Sequence, residues 1–267
     1  MRVMKHKNSN RGVSFLIFQL IAILGILATG VFLLYVIWQS VGTDGTVTAE
    51  HYLELLLKTP EYWVFFWNSF KISLLILGGT LAVALIGAFV LYRYRFRGSN
   101  LLFGLLVLLM LMPYQVLMLP QLLMIHKFQL FNHLAGVILP NIFSSFGIVL
   151  LLQYMKKIPY ESVEAAQVDG AGDILIFGKV VLPLIKEGVI TLAILNLVDT
   201  WNLVEQPQNI LTDSRLYPLS ISFSKYETSS IEALSAGNLI FLLPIILLFF
   251  MGKDYLVNGI SNTVVKK

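Results

Sequence analysis

The chain is a succession of apolar runs, most of them long enough to cross a lipid bilayer, separated by short polar connections. A membrane-spanning helix needs about 20 mostly apolar residues, and helices satisfy all their own backbone hydrogen bonds in lipid. The runs fall at about residues 13–38, 65–92, 100–125, 134–154, 184–200 and 239–256. They predict an all-α fold, a polytopic membrane bundle of about six transmembrane helices. Only 13% of the residues are charged and 57% are hydrophobic, whereas a soluble domain carries about 25% charged residues. The first run follows a basic arm, as the apolar part of a signal peptide does. It is much longer than the usual stretch of about 7–15 residues, and no small-residue cleavage site closes it; it reads as a retained helix. Pro113 and Pro120 interrupt the third run, and Lys186, Glu187, Asn196 and Asp199 interrupt the fifth.

Lys and Arg in short loops set orientation, because cytoplasmic loops are enriched in them. The N-terminal arm carries Arg2, Lys5, Lys7 and Arg11, the turn after the second run Arg93, Arg95 and Arg97, and the segment after the fourth Lys156, Lys157 and Lys179. The intervening loops hold only Lys58 and Lys127, Arg215 and Lys225 are diluted over a long fifth connection, and the chain ends in Lys266-Lys267. The alternation predicts a multi-pass membrane protein with both termini cytoplasmic. Topology therefore accounts for the net charge of +4 better than a nucleic-acid partner does. Trp38, Trp63, Trp67 and Trp201 fall near predicted outer ends, as an aromatic belt would place them. With no cysteine, thiolate metal sites and disulfides are excluded. His6, His51, His126 and His133 are scattered singly, which argues against a metal site.

One cytoplasmic connection is unlike the rest. Residues 158–183 predict two short helices with a break between them. Pro159 suits a first helical turn, and Tyr160 to Val168 are good helix formers, with Glu161 and Glu164 at the end that favours anions. Gly170 can take the left-handed conformation that ends a helix, and Asp173 can cap a second helix over residues 174–180. Ala165 and Ala166 add little bulk, so another surface can approach the backbone. The segment is long for a helix–helix connection. It mixes acids with apolar residues expected to be exposed, Val163, Ile174 and Phe177. This points to a docking element rather than a plain connector.

The order Glu164-Ala165-Ala166, three residues, Gly170, nine residues, then Val180, one residue, Leu182-Pro183 resembles the signature of bacterial ABC importer permeases. Ile158-Pro159-Tyr160-Glu161, Asp169-Gly170-Ala171, Asn68-Ser69, Met112-Pro113 and Trp201-Asn202 are similar to the carbohydrate branch, in particular to the smaller permease of maltose-type importers. The resemblance implies one permease domain over residues 1–267, with a cytoplasmic coupling-helix pair at 158–183. It implies that Glu161, Glu164, Ala165, Ala166, Asp169, Gly170 and Ala171 contact an ATPase whose closure drives alternating access. The implied partners are a second, different permease subunit, two ATP-binding subunits, an extracellular solute-binding protein, membrane lipid and a carbohydrate, with no nucleic acid. ATP and Mg would belong to the partner ATPases. This chain has no Gly-Lys-Ser/Thr phosphate loop, so no cofactor and no enzyme activity are expected in it. The family's C-terminal tail reaches between the ATPases; Gly259-Ile260-Ser261 and Val265-Lys266 partly match it, and Asn262, Thr263 and Val264 depart from it.

Polar groups at membrane depth usually face a bundle interior or water. Tyr114, Gln115, Asn141, Ser144, Ser145, Asn196, Asp199, Trp201 and Asn202 are candidates for the solute path, with Tyr114 and Trp201 offering aromatic faces to a sugar. Each also has a plainer reading, since serines bond their own backbone and asparagines link helices. The segment from Asn202 to Gly237 is too long for a minimal turn and holds the aromatic trio Tyr217, Phe223 and Tyr226. It fits either an external loop that meets a solute-binding protein or a lid packed on its own subunit. The solute is expected to be an oligosaccharide, with a glycosylated compound or polyol as the alternative. A stand-alone secondary transporter would show internal repeats, and none is evident. A membrane enzyme would need a convergent acid–base or metal cluster, which the spacing does not offer.

Overall fold

The computed structural model describes residues 3–43, 46–94, 96–225 and 231–264. The expected all-α architecture is present. Helix α1 is Val3–Val41, α2 is Glu50–Leu53, α3 is Pro60–Arg93, α4 is Ser99–Leu111 and α5 is Tyr114–Lys127. Then come α6, Leu134–Ile142, α7, Ser145–Met155, α8, Tyr160–Val168, and α9, Asp173–Ile176. The series closes with α10, Leu182–Leu184, α11, Lys186–Trp201, α12, Glu205–Ile210, α13, Leu219–Lys225, and α14, Ile231–Val264. A two-residue ladder, Gly42–Thr43 against Thr46–Val47, closes the turn after α1.

Among the described residues four stretches are long and apolar enough to cross a membrane unaided, and two bent helix pairs raise the number to six if each pair is one span. The third run is the clearest departure from a straight helix. Helices α4 and α5 meet at 102°, and each, at 13 and 14 residues, reaches about 20 Å at 1.5 Å per residue. The cause is local. The residue before a proline is pushed into extended conformation, and Met112 sits at ψ 125 with Pro113 at ψ 146. Pro120 lies inside α5 without ending it. The fifth run bends by 75° between the α9–α10 segment and α11, at Ile185 (φ −102, ψ 12). The fourth run continues as one span through an extended pair, Phe143 and Ser144, where the Ser144 hydroxyl accepts from the Gly147 amide at 3.0 Å.

The chain divides into two compact units, residues 1–59 with 227–242 and residues 60–226 with 243–267. In the first, the Tyr52 hydroxyl donates to the Ser40 hydroxyl at 2.8 Å, and that donates to the Ile37 carbonyl. The described face of α1 from Phe15 to Ile37 is almost wholly exposed.

The second unit holds the core. Ala84, Ala88 and Phe89 of α3 pack with Ile148, Leu151, Leu152 and Met155 of α7, Leu192 of α11, and Val163, Ile176 and Val181 of the connection between α7 and α11. In lipid, apolar surface gains little by leaving hydrocarbon, so helices associate through close packing over small residues. That pattern is visible here. A Cβ on Gly79 would come within 2.5 Å of Ile142, and one on Gly188 within 2.6 Å of the Tyr154 ring.

Candidate functional site

The connection between α7 and α11 forms a bent handle. Helix α8 covers the expected residues, and Pro159 precedes it as an extended cap (φ −56, ψ 129) rather than occupying its first turn. Its end is a paired carbonyl closure: the Gly170 amide donates to the Gln167 carbonyl and the Ala171 amide to the Ala166 carbonyl, both at 2.9 Å. Such a closure needs a left-handed residue, and Gly170 supplies φ +82. No atom outside its neighbours lies within 4 Å of a Cβ built there, so the demand for glycine comes from the backbone alone. The second arm runs from Asp173 through a π-helical turn, Phe177–Val181, to Leu184.

Asp173 does not cap this second arm. Gly172 takes that place with no side-chain bond. The carboxylate is instead held from the end of α3: Arg93 Nε donates to one oxygen at 2.9 Å and the Tyr94 hydroxyl to the other at 2.5 Å. These bonds, Tyr94 first and Arg93 second, hold the Asp173 carboxyl below its ordinary range. The same carboxylate raises the Tyr94 phenol. The basic turn after α3 thus anchors the handle. The sequence offered no sign of this pairing, because 80 residues separate Arg93 from Asp173.

Exposure divides the handle residues. Glu161, Glu164, Ala165, Asp169 and Gly170 are exposed, while Ala166 and Ala171 lie half-buried against the core. Two of the three apolar residues expected at the surface are not there. Val163 is buried in the core, and Phe177 is half-buried with its ring 5.0 Å from Phe89. They face the hydrocarbon-packed end of α3, which is what holds the handle on. Ile174, 89% exposed, and Val168, 87% exposed, are the apolar side chains of the handle that project furthest, with Leu175 at 46% next to Ile174. Ile174 lies on the rim of a cavity of about 470 Å³ that Gly172, Leu175, Gly178 and Lys179 also line.

The candidates for a solute path fall into separate groups. Gln115 at the start of α5 donates to both carboxylate oxygens of Glu205 at 3.2 and 3.0 Å. Asn141 at the end of α6 donates to the Val137 carbonyl at 2.7 Å and, through a short contact, to Gln206 Oε1. Its own carbonyl accepts from Thr80 of α3. Helix α12 therefore joins Gln115 and Asn141 into one polar neighbourhood, with half-buried Tyr114 beside Gln115 in sequence. Gln206 was not anticipated; it is buried, and its Nε2 has no hydrogen-bond partner. On α11, the Asn196 side-chain oxygen is buried without a partner, Asp199 is exposed, and Asn202 donates to the Val198 carbonyl. Trp201 is buried edge-on against Phe66, ring centroids 5.7 Å apart, and Ser144 is a helix cap.

The segment after α11 packs on its own subunit as far as it is described. Ile210, Leu211, Tyr217, Leu219 and Ile221 are buried. The Asn68 side chain donates to the Arg215 and Tyr217 carbonyls at 2.8 and 3.1 Å, and the Leu219 amide donates to the Ser69 hydroxyl at 2.8 Å. Asn132, at φ 58, accepts from the Thr212 and Asp213 amides, both at 2.9 Å. Of the residues named from sequence, Arg2, Arg95, Tyr226, Val265, Lys266 and Lys267 lie outside the described residues, as do the side chains of Lys5, His6, Lys7, Arg11, Val13, Phe223, Lys225 and of residues 259–264.

The chain belongs to the family described as binding-protein-dependent transport system inner membrane component, whose model matches residues 75–262. An arabinooligosaccharides transport system permease protein, AraQ, of Halalkalibacterium halodurans is 30% identical over 83% of this chain and 80% of its own length. Its namesake in Bacillus subtilis is 28% identical over 81% and 78%. An sn-glycerol-3-phosphate transport system permease protein, UgpE, of Salmonella typhi is 31% identical over 60% of this chain and 57% of its own. The fold is shared with a bacterial ABC transporter involved in the import of the acidic polysaccharide alginate, at TM-score 0.76 and 20% identity over 89% of this chain and 96% of that one. It is also shared with an alginate ABC transporter solved with an alginate pentasaccharide-bound periplasmic protein, at 0.71 and 14% over 100% and 99%. The chain is a multi-pass membrane permease subunit of the binding-protein-dependent ABC importer class, and the named relatives are transport permeases rather than enzymes.

Proposed function

We propose that this chain is one half of the membrane channel of an ATP-driven importer for an oligosaccharide. A second permease chain forms the other half, two ATPases hold ATP and Mg on the cytoplasmic side, and an external binding protein delivers the solute. Both termini lie in the cytoplasm. The handle formed by α8 to α10 seats on an ATPase through Glu161, Glu164, Ala165, Ala166, Asp169, Gly170 and Ala171. Closure of the ATPases moves the handle, and the tie from Asp173 to Arg93 and Tyr94 passes that motion to α3. Bending at Ile185 lets α11 follow, so the bundle alternates between inward- and outward-facing states. Gln115, Asn141 and Gln206 line the solute path near α12, and Asn196, Asp199, Trp201 and Asn202 line it along α11.

The observation that carries this reading is the pair of projecting apolar side chains, Val168 and Ile174, on a handle whose opposite face is fixed to the core. Exposed apolar groups in an aqueous position mark a surface that meets a partner. The names of the arabinooligosaccharide relatives and the alginate importers support an oligosaccharide. The glycerol-3-phosphate relative supports a second reading, a polyol-derived solute. Replacing Gly170 by Val tests the coupling. A left-handed β-branched residue costs about 1–2 kcal/mol or more, so the handle reshapes while the distant spans stay inserted. Uptake should fall by roughly tenfold or more at unchanged membrane levels; normal uptake in that variant overturns the coupling role.

A further inference from the structure

A second cytoplasmic-side cavity lies apart from the projecting face of the handle. It measures about 1020 Å³ and sits where the end of α3, the start of α4, the end of α7 and the inner face of α8 meet. Its size matches pockets of about 300–1,000 Å³ that hold drug-sized molecules and far exceeds the needs of a bare ion. Its lining is mixed. Leu91, Phe103, Leu152, Ile158 and Val163 make it apolar, while Arg93, Lys156, Ser99 and Asn100 bring cations and hydrogen-bonding groups. The Lys156 ammonium stands 4.8 Å from the Phe103 ring centroid, over a wall of the cavity. Arg93 spends its Nε on Asp173 and keeps two further amino groups on its guanidinium. Among the described residues no carboxylate lines the cavity; with Asp173 set against Arg93, Lys156 leaves the site with a surplus of positive charge.

We propose that this cavity holds the phosphate headgroup of an anionic membrane lipid. The shared chemistry of any occupant is a phosphate anion, and the surroundings select the lipid as its source. The cavity sits at the end of the apolar span Pro60–Arg93 and at the start of the apolar α4, the depth at which headgroups meet a bilayer. Asn100, Phe103, Val107 and Met110 lie along one stripe of α4, with Val107 half-buried and Met110 39% exposed, an apolar track for an acyl chain leading away from the polar end. Basic pockets of this kind between helices on the cytoplasmic side suit anionic headgroups. Because Arg93 serves both the cavity and Asp173, lipid occupancy stiffens the anchor of the handle. The inference rests on the chain being a membrane permease and not on which solute it carries or how ATP moves it.

The test is lipid retention by the importer purified with its partner subunits, measured by native mass spectrometry after exchange into detergent containing phosphatidylglycerol, phosphatidylcholine or inorganic phosphate. Phosphatidylglycerol should remain bound in preference to phosphatidylcholine, and inorganic phosphate should not displace it. Lys156→Ala should weaken retention about fivefold, the worth of one lysine at an anionic surface, and Asn100→Trp should weaken it by filling the cavity. Lys157→Ala should leave it unchanged, because that ammonium stands over Tyr154 and not over the cavity lining. Equal retention of phosphatidylcholine, displacement by inorganic phosphate, full retention in both Lys156→Ala and Asn100→Trp, or equal loss in Lys157→Ala would each overturn the proposal.

Discussion

The two long connections on either side of α11 are built in opposite ways. The handle from α8 to α10 turns Val168 and Ile174 outward and holds on through a few contacts, the tie from Asp173 to Arg93 and Tyr94 and the packing of Val163 and Phe177. The segment that carries α12 and the start of α13 buries its apolar residues, Ile210, Leu219 and Ile221 among them, and is bonded back by Asn68, Ser69 and Asn132. Hydrophobic content alone therefore does not separate a docking element from a lid. What separates them is whether the subunit satisfies its own apolar and polar groups. The handle leaves apolar side chains uncovered, and the segment after α11 leaves few.

That contrast can be broken at matched residues. Ile221→Ala removes a fully buried side chain, and large-to-small changes of this kind cost about 2–5 kcal/mol. Thermal unfolding of the purified importer should therefore shift clearly downward. Asp173→Asn comes next. It removes the charge that Arg93 and Tyr94 hold, so uptake should fall severalfold with little change in thermal stability, because the pair is partly exposed and such pairs contribute little. The pH dependence has a definite sign. The Asp173 carboxyl is held below its ordinary value, so the tie is complete above that value and is lost as pH falls through the lowered one. The wild-type handle should loosen toward the asparagine behaviour only under strong acid, as read by protease sensitivity of the connection. Ile174→Ala should change stability least, within about 0.5 kcal/mol as for other surface sites, while weakening recovery of the ATPase with the permease. If Ile174→Ala destabilised the chain as much as Ile221→Ala, the contrast between handle and lid would fail.

Much of this was legible in the sequence because membranes impose strong rules. Apolar run length located the helices. The Pro159, Glu164 and Gly170 spacing gave α8 and its left-handed end, since those features depend on backbone conformation within a few residues. Bends were harder. Pro113 marked a break in the third run, but the 102° turn between α4 and α5 depends on packing as well as on one proline. Long-range pairs were not legible. Asp173 looked like a cap because its nearest backbone was a helix start, and only the fold brings Arg93 to it. Gln206 carried no sign of burial in a loop-like stretch, although Asn68-Ser69 stood out as a pair before its anchoring bonds to the segment near Tyr217 were visible.

The proposed function requires an ATPase to cover the apolar tips of the handle. The chain has no cysteine, so single cysteines placed at Val168 and Ile174 report on it directly, with a third at Ser214 in the exposed part of the lid as the comparison. In the assembled importer, a short bifunctional reagent should link positions 168 and 174 to the nucleotide-binding subunit, with yields that change when ATP is added, and should not link position 214 to it. Absence of that subunit from the 168 and 174 products, or modification of those two positions by a membrane-impermeant reagent from outside the cell, would contradict the account.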